Sequence, residues 1–123
     1  MKLTSYKELL VWQKSIELVR NVYAATKQFP KEELYALSSQ MRRAAVSVPS
    51  NIAEGYMRQG LGEYIQFLKI AEASAAELET QIIIAKSLYN NDALSRASEF
   101  LTEVQKMLFA MSLKLNGKRK PIP

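Results

Sequence analysis

The chain has 123 residues, with 17 Lys and Arg against 12 Asp and Glu, no Cys and no His. Without Cys there are no disulfides, no thiolate nucleophiles and no sulfur-ligated zinc. Without His, Ser-His-Asp and Cys-His catalysis are excluded, as is the Glu-x-x-His di-iron site of many helical bundles.

The first helical pattern spans about 8–27. Leu9, Trp12, Ile16, Val19, Tyr23 and Thr26 recur in steps of three and four, the signature of an amphipathic helix. A second pattern covers about 32–59, with Leu34, Leu37, Met41, Ala44 and Val48 in step. Glu32 and Glu33 complement its positive end. Pro49 interrupts it, removing one backbone donor and crowding the carbonyl of Ala45. Two outcomes follow: a helix kinked near Pro49 that continues through Ile52 and Ala53, or a stop and restart with Asn51 as N-cap and Glu54 as its capping-box partner. The continuous helix is the expectation, because the apolar face runs on.

The third pattern covers about 62–90 through Tyr64, Leu68, Ala71, Ala75, Leu78, Ile82, Ala85 and Tyr89. The fourth covers about 93–116 through Leu94, Ala97, Leu101, Val104, Leu108, Met111 and Leu115, with Asp92 as its expected cap and Gly117 at its exit. A basic tail, 117–123, closes the chain, and Pro121 and Pro123 forbid further helix. No stretch shows the alternation of a half-buried strand. Short connections make sequential helices antiparallel, so the expected architecture is an all-α, up-down-up-down four-helix bundle in one domain, 1–123. No segment has the apolar length of a membrane span, and Met1–Ser5 lacks the apolar core of a signal peptide, which points to the cytoplasm.

Charge is polarised along the chain. Residues 1–60 carry nine basic and five acidic side chains, giving +4; residues 61–113 carry four and seven, giving −3. Lys114, Lys118, Arg119 and Lys120 add +4 with no acid beside them. Such a tail reads equally as a solvated terminus or a phosphate-binding arm.

Carboxylates are the acid–base candidates that remain. Glu72 and Glu79 share a face of the third helix, but inward positions are apolar or Ala, so no carboxylate-bridged metal centre is expected and no cofactor is implied. Gly60-Leu61-Gly62 lacks the third glycine and the preceding strand of a phosphate loop and is a turn. The densest polar cluster lies on the second helix: Gln40, Arg42, Arg43, Ser47, Ser50, Asn51, Glu54 and Arg58. Arg42 and Arg43 are about 100° apart around a helix, so both cannot face the core. Two readings stand side by side. One is a polyanion-binding strip of Arg42 or Arg43 with Arg58. The other is pairing of an Arg with Glu54, within the chain or between subunits. Trp12, Tyr23, Tyr64 and Tyr89 fall in the apolar stripes, which leaves Tyr56, beside Arg58, as the aromatic expected to be exposed.

Three segments carry a resemblance. They are Leu10-Val11-Trp12-Gln13-Lys14 with Phe29-Pro30-Lys31-Glu32-Glu33-Leu34-Tyr35-Ala36-Leu37; Gln40-Met41-Arg42-Arg43-Ala44-Ala45-Val46-Ser47-Val48-Pro49-Ser50-Asn51-Ile52-Ala53-Glu54-Gly55; and Phe67-Leu68-Lys69-Ile70-Ala71-Glu72-Ala73-Ser74 with Glu77 and Glu79. Together they resemble the four-helix bundle family of proteins encoded in intervening sequences of bacterial 23S rRNA genes. The match runs from about Tyr6 to Leu115. The family often has Gly before the serine of the third segment, where this chain has Ala73. The resemblance implies a bacterial cytoplasmic bundle that assembles as a homo-oligomer, typically a ring-like pentamer, and carries no catalytic residues to transfer. A related group, accessory proteins of diversity-generating retroelements, forms basic pentamers that bind nucleic acid and a reverse transcriptase.

These readings converge on a non-enzymatic oligomeric bundle that binds RNA or DNA. Arg42, Arg43, Arg58, Lys114, Lys118, Arg119 and Lys120 would supply phosphate contacts. The alternative is an assembly module without nucleic-acid affinity, with Gln40, Asn51 and Glu54 serving structure or the subunit interface. Neither reading includes a membrane.

Overall fold

A computed structural model describes residues 4–118. Arg119 and Lys120 of the basic tail lie outside the described residues. The fold consists of four helices: α1 (Leu10–Lys27), α2 (Leu37–Met57), α3 (Leu61–Leu88) and α4 (Asp92–Asn116), with short 3₁₀ turns at Tyr6–Glu8 and Lys31–Glu33. Helix α1 packs on α2 and α4, and α3 packs on the same two partners, while the diagonal pairs stand apart. This is the expected square, antiparallel four-helix bundle.

The stripes expected for α3 and α4 are the buried ones. Leu68, Ala71, Ala75, Leu78, Ile82 and Ala85 meet Leu94, Ala97, Leu101, Val104 and Leu108 in one core. Tyr64, Tyr89, Met111 and Leu115 pack at its edges. In α2, Met41, Ala44, Ala45, Val48 and Ile52 are buried. Their apolar burial is the main force holding the helices together.

Helix α1 departs from expectation by one position. Its buried line is Val11, Ser15, Leu18, Val22 and Ala25, and of the expected line through Leu9, Trp12, Ile16, Val19, Tyr23 and Thr26 only Thr26 is buried. Two adjacent apolar lines run along this helix, and Ser15 disguises the true one. Its hydroxyl is satisfied by donating to the Trp12 carbonyl at 2.7 Å, so a buried serine carries no desolvation penalty there. The outer line is left half-buried, and Tyr23 is exposed.

Helix α2 begins later than expected. Residues 31–33 form a 3₁₀ turn, and Ala36 at φ −124°, ψ −107° holds the chain out of helical geometry before Leu37. Leu34 is therefore exposed rather than in the stripe. Glu33 leaves the helix start and accepts a 2.5 Å hydrogen bond from the Tyr89 hydroxyl, while Phe29 stacks on Tyr89.

Pro49 sits inside α2, which runs unbroken from Leu37 to Met57, so the stop-and-restart outcome does not occur. Asn51 is no N-cap: its side chain donates to the Ser47 carbonyl at 2.7 Å and to Ser47 Oγ at 2.9 Å. With its oxygen occupied as acceptor, the Ser47 hydroxyl is free to donate to Ser74 Oγ, 2.7 Å away on α3. Near the end of α2, Gly55 lets α3 approach closely. A Cβ there would stand 2.8 Å from the Cβ of Phe67 and 3.2 Å from the Tyr64 carbonyl oxygen.

The cap of α4 also differs. Asn91, not Asp92, accepts from the Leu94 N–H at 2.8 Å, and its side-chain nitrogen reaches the Ala25 carbonyl at 3.3 Å. Asp92 is the first helical residue. Gly117 is the C-cap as expected, but in right-handed geometry at φ −63°, ψ −20°. One interior polar atom has no partner among the described residues: Oε1 of the buried Gln81, whose nitrogen donates to Glu77.

Candidate nucleic-acid interface

The outer side of α1 and α2 carries a groove of about 700 Å³, lined by Tyr23, Leu34, Tyr35, Ser39, Arg42, Arg43, Val46 and Ser47. Its position follows from the two departures above. The exposed line of α1 contributes Tyr23. The delayed start of α2 leaves Leu34 and Tyr35 outside the helix, at the rim.

Arg42 is built into this groove. Its Nε donates to Thr26 Oγ1 at 2.9 Å, and its guanidinium lies 5.0 Å over the Tyr23 ring. Thr26 itself donates to the Val22 carbonyl at 2.8 Å, which orients its oxygen as acceptor. A cation over a tyrosine face gains electrostatic attraction from the ring quadrupole. Neither Arg42 nor the exposed Arg43 has a carboxylate partner among the described residues, and no acid lines the groove. Two guanidiniums with uncompensated charge beside the Ser39 hydroxyl suit an anion with several oxygens.

Arg58 does not join them. It lies 16 residues beyond Arg42, about 24 Å along the helix axis. Its guanidinium contacts Glu54 at 3.0 Å and Glu63 at 3.7 Å, and stacks 4.8 Å over Phe67. The pairing of an Arg with Glu54 is thus intramolecular. The proposed strip of Arg42 or Arg43 with Arg58 is not continuous, and the charge of Arg58 is already compensated. Lys114 and Lys118 are exposed at the end of α4, the same end of the bundle as Arg58 and opposite the groove.

Of the other singled-out residues, Asn51 braces α2 and Glu54 holds Arg58, while Gln40 is exposed on the first turn of α2. Tyr56 is half-buried, its ring edge-on to Tyr6 and Tyr64, and is not the exposed aromatic. Among the described residues the most exposed aromatic is Tyr35, at 93 %, which pattern reading missed. The available signal was its place directly after Pro30-Lys31-Glu32-Glu33-Leu34, where the turn precedes helix.

Glu72 and Glu79 share a face as expected, and that face meets α4: Glu72 accepts from Ser112 at 2.7 Å and Glu79 from Gln105 at 3.4 Å. Among the described residues, no three His, Cys, Asp or Glu side chains gather as a metal site, and no helix is long and apolar enough to cross a membrane.

A sequence model of the 23S rRNA-intervening sequence proteins matches residues 7–110. No curated protein matches the chain. Among solved structures, a protein of unknown function from the S23 ribosomal protein family of Bacteroides thetaiotaomicron is similar, with a TM-score of 0.74 and 24 % identity over 84 % of this chain and 98 % of that one. At that identity the likeness speaks for the fold.

Proposed function

Because this chain belongs to the 23S rRNA-intervening sequence protein family, we propose that it is a non-enzymatic helical bundle that binds RNA or DNA through phosphates at the Arg42–Arg43 groove. One observation carries this reading: two arginines and no carboxylate line the groove, whereas Arg58, just past the end of this helix, is held by two carboxylates. Lys114 and Lys118 form a second basic region at the opposite end. Phosphate contacts of this kind position a nucleic acid without reading its sequence, and they weaken steeply with salt.

The test is a salt titration of binding to a defined RNA and a defined DNA by fluorescence anisotropy. Arg43→Ala is expected to lower affinity several-fold and reduce the salt slope by about one. Arg58→Ala is expected to leave both unchanged. Absence of binding at low ionic strength, or an Arg43→Ala protein that binds as wild type does, overturns the reading.

A second reading, assembly with further copies, is favoured by a different surface. Phe109 and Leu113, one turn apart on α4, are each about 60 % exposed, and apolar side chains of this size mark interaction surfaces when they gather. The oligomer expected from the family resemblance is a five-membered ring. Sedimentation equilibrium decides: a monomer at all concentrations removes this reading and leaves phosphate binding intact.

A further inference from the structure

The groove holds more than cations. Tyr35 presents nearly its whole side chain to solvent, at 93 % exposure, and lines the same groove as Leu34, Arg42 and Arg43. An aromatic side chain ordinarily buries most of its area, so a ring left bare beside uncompensated guanidiniums calls for a flat, apolar-faced partner that brings negative charge with it. Those two properties together describe an unstacked nucleobase with its phosphate. A duplex offers the phosphates but keeps its base faces stacked, whereas a single strand offers both. We infer that the groove between α1 and the start of α2 is a single-strand site, with a base stacked on Tyr35 and adjacent phosphates on Arg42 and Arg43.

The chemistry of the lining supports this occupant over an acidic protein segment. Ser39 adds a hydroxyl donor suited to sugar or phosphate oxygens, and Arg42 is already immobilised by Thr26 and Tyr23. The inference rests on the phosphate-binding reading above and adds the strand preference and the residue that sets it. The exposure of Tyr35 makes it replaceable without loss of core packing.

The experiment compares a fluorescein-labelled 12-nucleotide oligo(U) RNA, oligo(dT) of the same length and a duplex of the same length, at low salt, on wild-type protein, Tyr35→Ala and Tyr35→Phe. Wild type is expected to bind the single strands more tightly than the duplex. Tyr35→Ala is expected to lose about ten-fold in single-strand affinity with its salt slope unchanged, as for loss of one stacked base. Tyr35→Phe, which keeps the ring, is expected to bind as wild type, and duplex binding is expected to be the same in all three. Equal affinity of wild type and Tyr35→Ala for the single strands overturns the inference while leaving phosphate binding in place. A parallel loss on the duplex overturns it too, as does a change of sedimenting mass in Tyr35→Ala, since a second copy would then cover the groove. No binding of any probe by wild type overturns the phosphate reading itself and this inference with it.

Discussion

The Tyr89 hydroxyl donates to a Glu33 carboxylate oxygen at 2.5 Å, joining the end of α3 to the turn that precedes α2. That bond stabilises the protonated phenol and, with the nearby carboxylates of Glu33 and Glu32, lifts Tyr89 from 10.0 to about 12. A phenol whose pKa is higher folded than unfolded contributes stability in full below about pH 10, and the contribution disappears as pH rises towards 12. Burial lifts Tyr64 to about 12 as well, so the wild-type protein loses stability at alkaline pH from two sources. Tyr89→Phe isolates one of them. It is expected to be less stable than wild type at pH 8, with the difference shrinking between pH 10 and 12, as read by urea unfolding at each pH. A difference independent of pH would show that the bond is not what raises this phenol.

Gly55→Ala is expected to destabilise the protein by about 1–3 kcal/mol, the usual cost of overpacking. The added methyl would meet the Cβ of Phe67 at 2.8 Å, and a Cβ cannot swing away without moving α3. Chemical denaturation reads this directly; a variant as stable as wild type would mean the α2–α3 seam has slack at this level.

Asn91→Ala is expected to cost about 1 kcal/mol, the typical value of an N-cap. Asp92→Ala is expected to cost less, since it removes only a first-turn charge at the helix N-terminus. Thermal unfolding of the two variants side by side ranks them. The opposite order would place the cap on Asp92.

Gln81→Met is expected to raise stability by about 1 kcal/mol. It removes a buried acceptor that no group satisfies, whose desolvation costs about 1–3 kcal/mol, at the expense of one hydrogen bond to the exposed Glu77. An unchanged or lower melting temperature would show that Oε1 has found water.

Much of the bundle was readable from spacing. In α3 and α4 the apolar line that keeps helical spacing from end to end is the buried one, so the stripe and the core coincide although Ile83, Leu88, Phe109 and Leu113 lie off it. In α1 two neighbouring lines compete, and hydrophobicity picks the wrong one because the buried position 15 is a serine that bonds its own backbone. The late start of α2 was hidden because Glu32 and Glu33 look like helix-start residues, whereas Glu33 answers to Tyr89, 56 positions away. The candidate site was half legible. Adjacent arginines cannot both face the core, which marked at least one of Arg42 and Arg43 for the surface, and Arg43 is the exposed one. That Arg58 would be occupied depended on Glu63 arriving from the next helix, and the bareness of Tyr35 depended on where α2 begins.

Arg42 is ordered before any ligand arrives. Its guanidinium is fixed against Thr26 and Tyr23 as the chain folds, so the rotamer freedom of a long side chain, on the order of 2 kcal/mol, is lost at folding rather than at encounter. A lysine in its place has no Nε–H fork to reach Thr26 and no flat cation to lie on Tyr23, and would be frozen only on contact. Under the proposed phosphate binding, Arg42 would supply a stationary point of positive charge and the exposed Arg43 would do the searching.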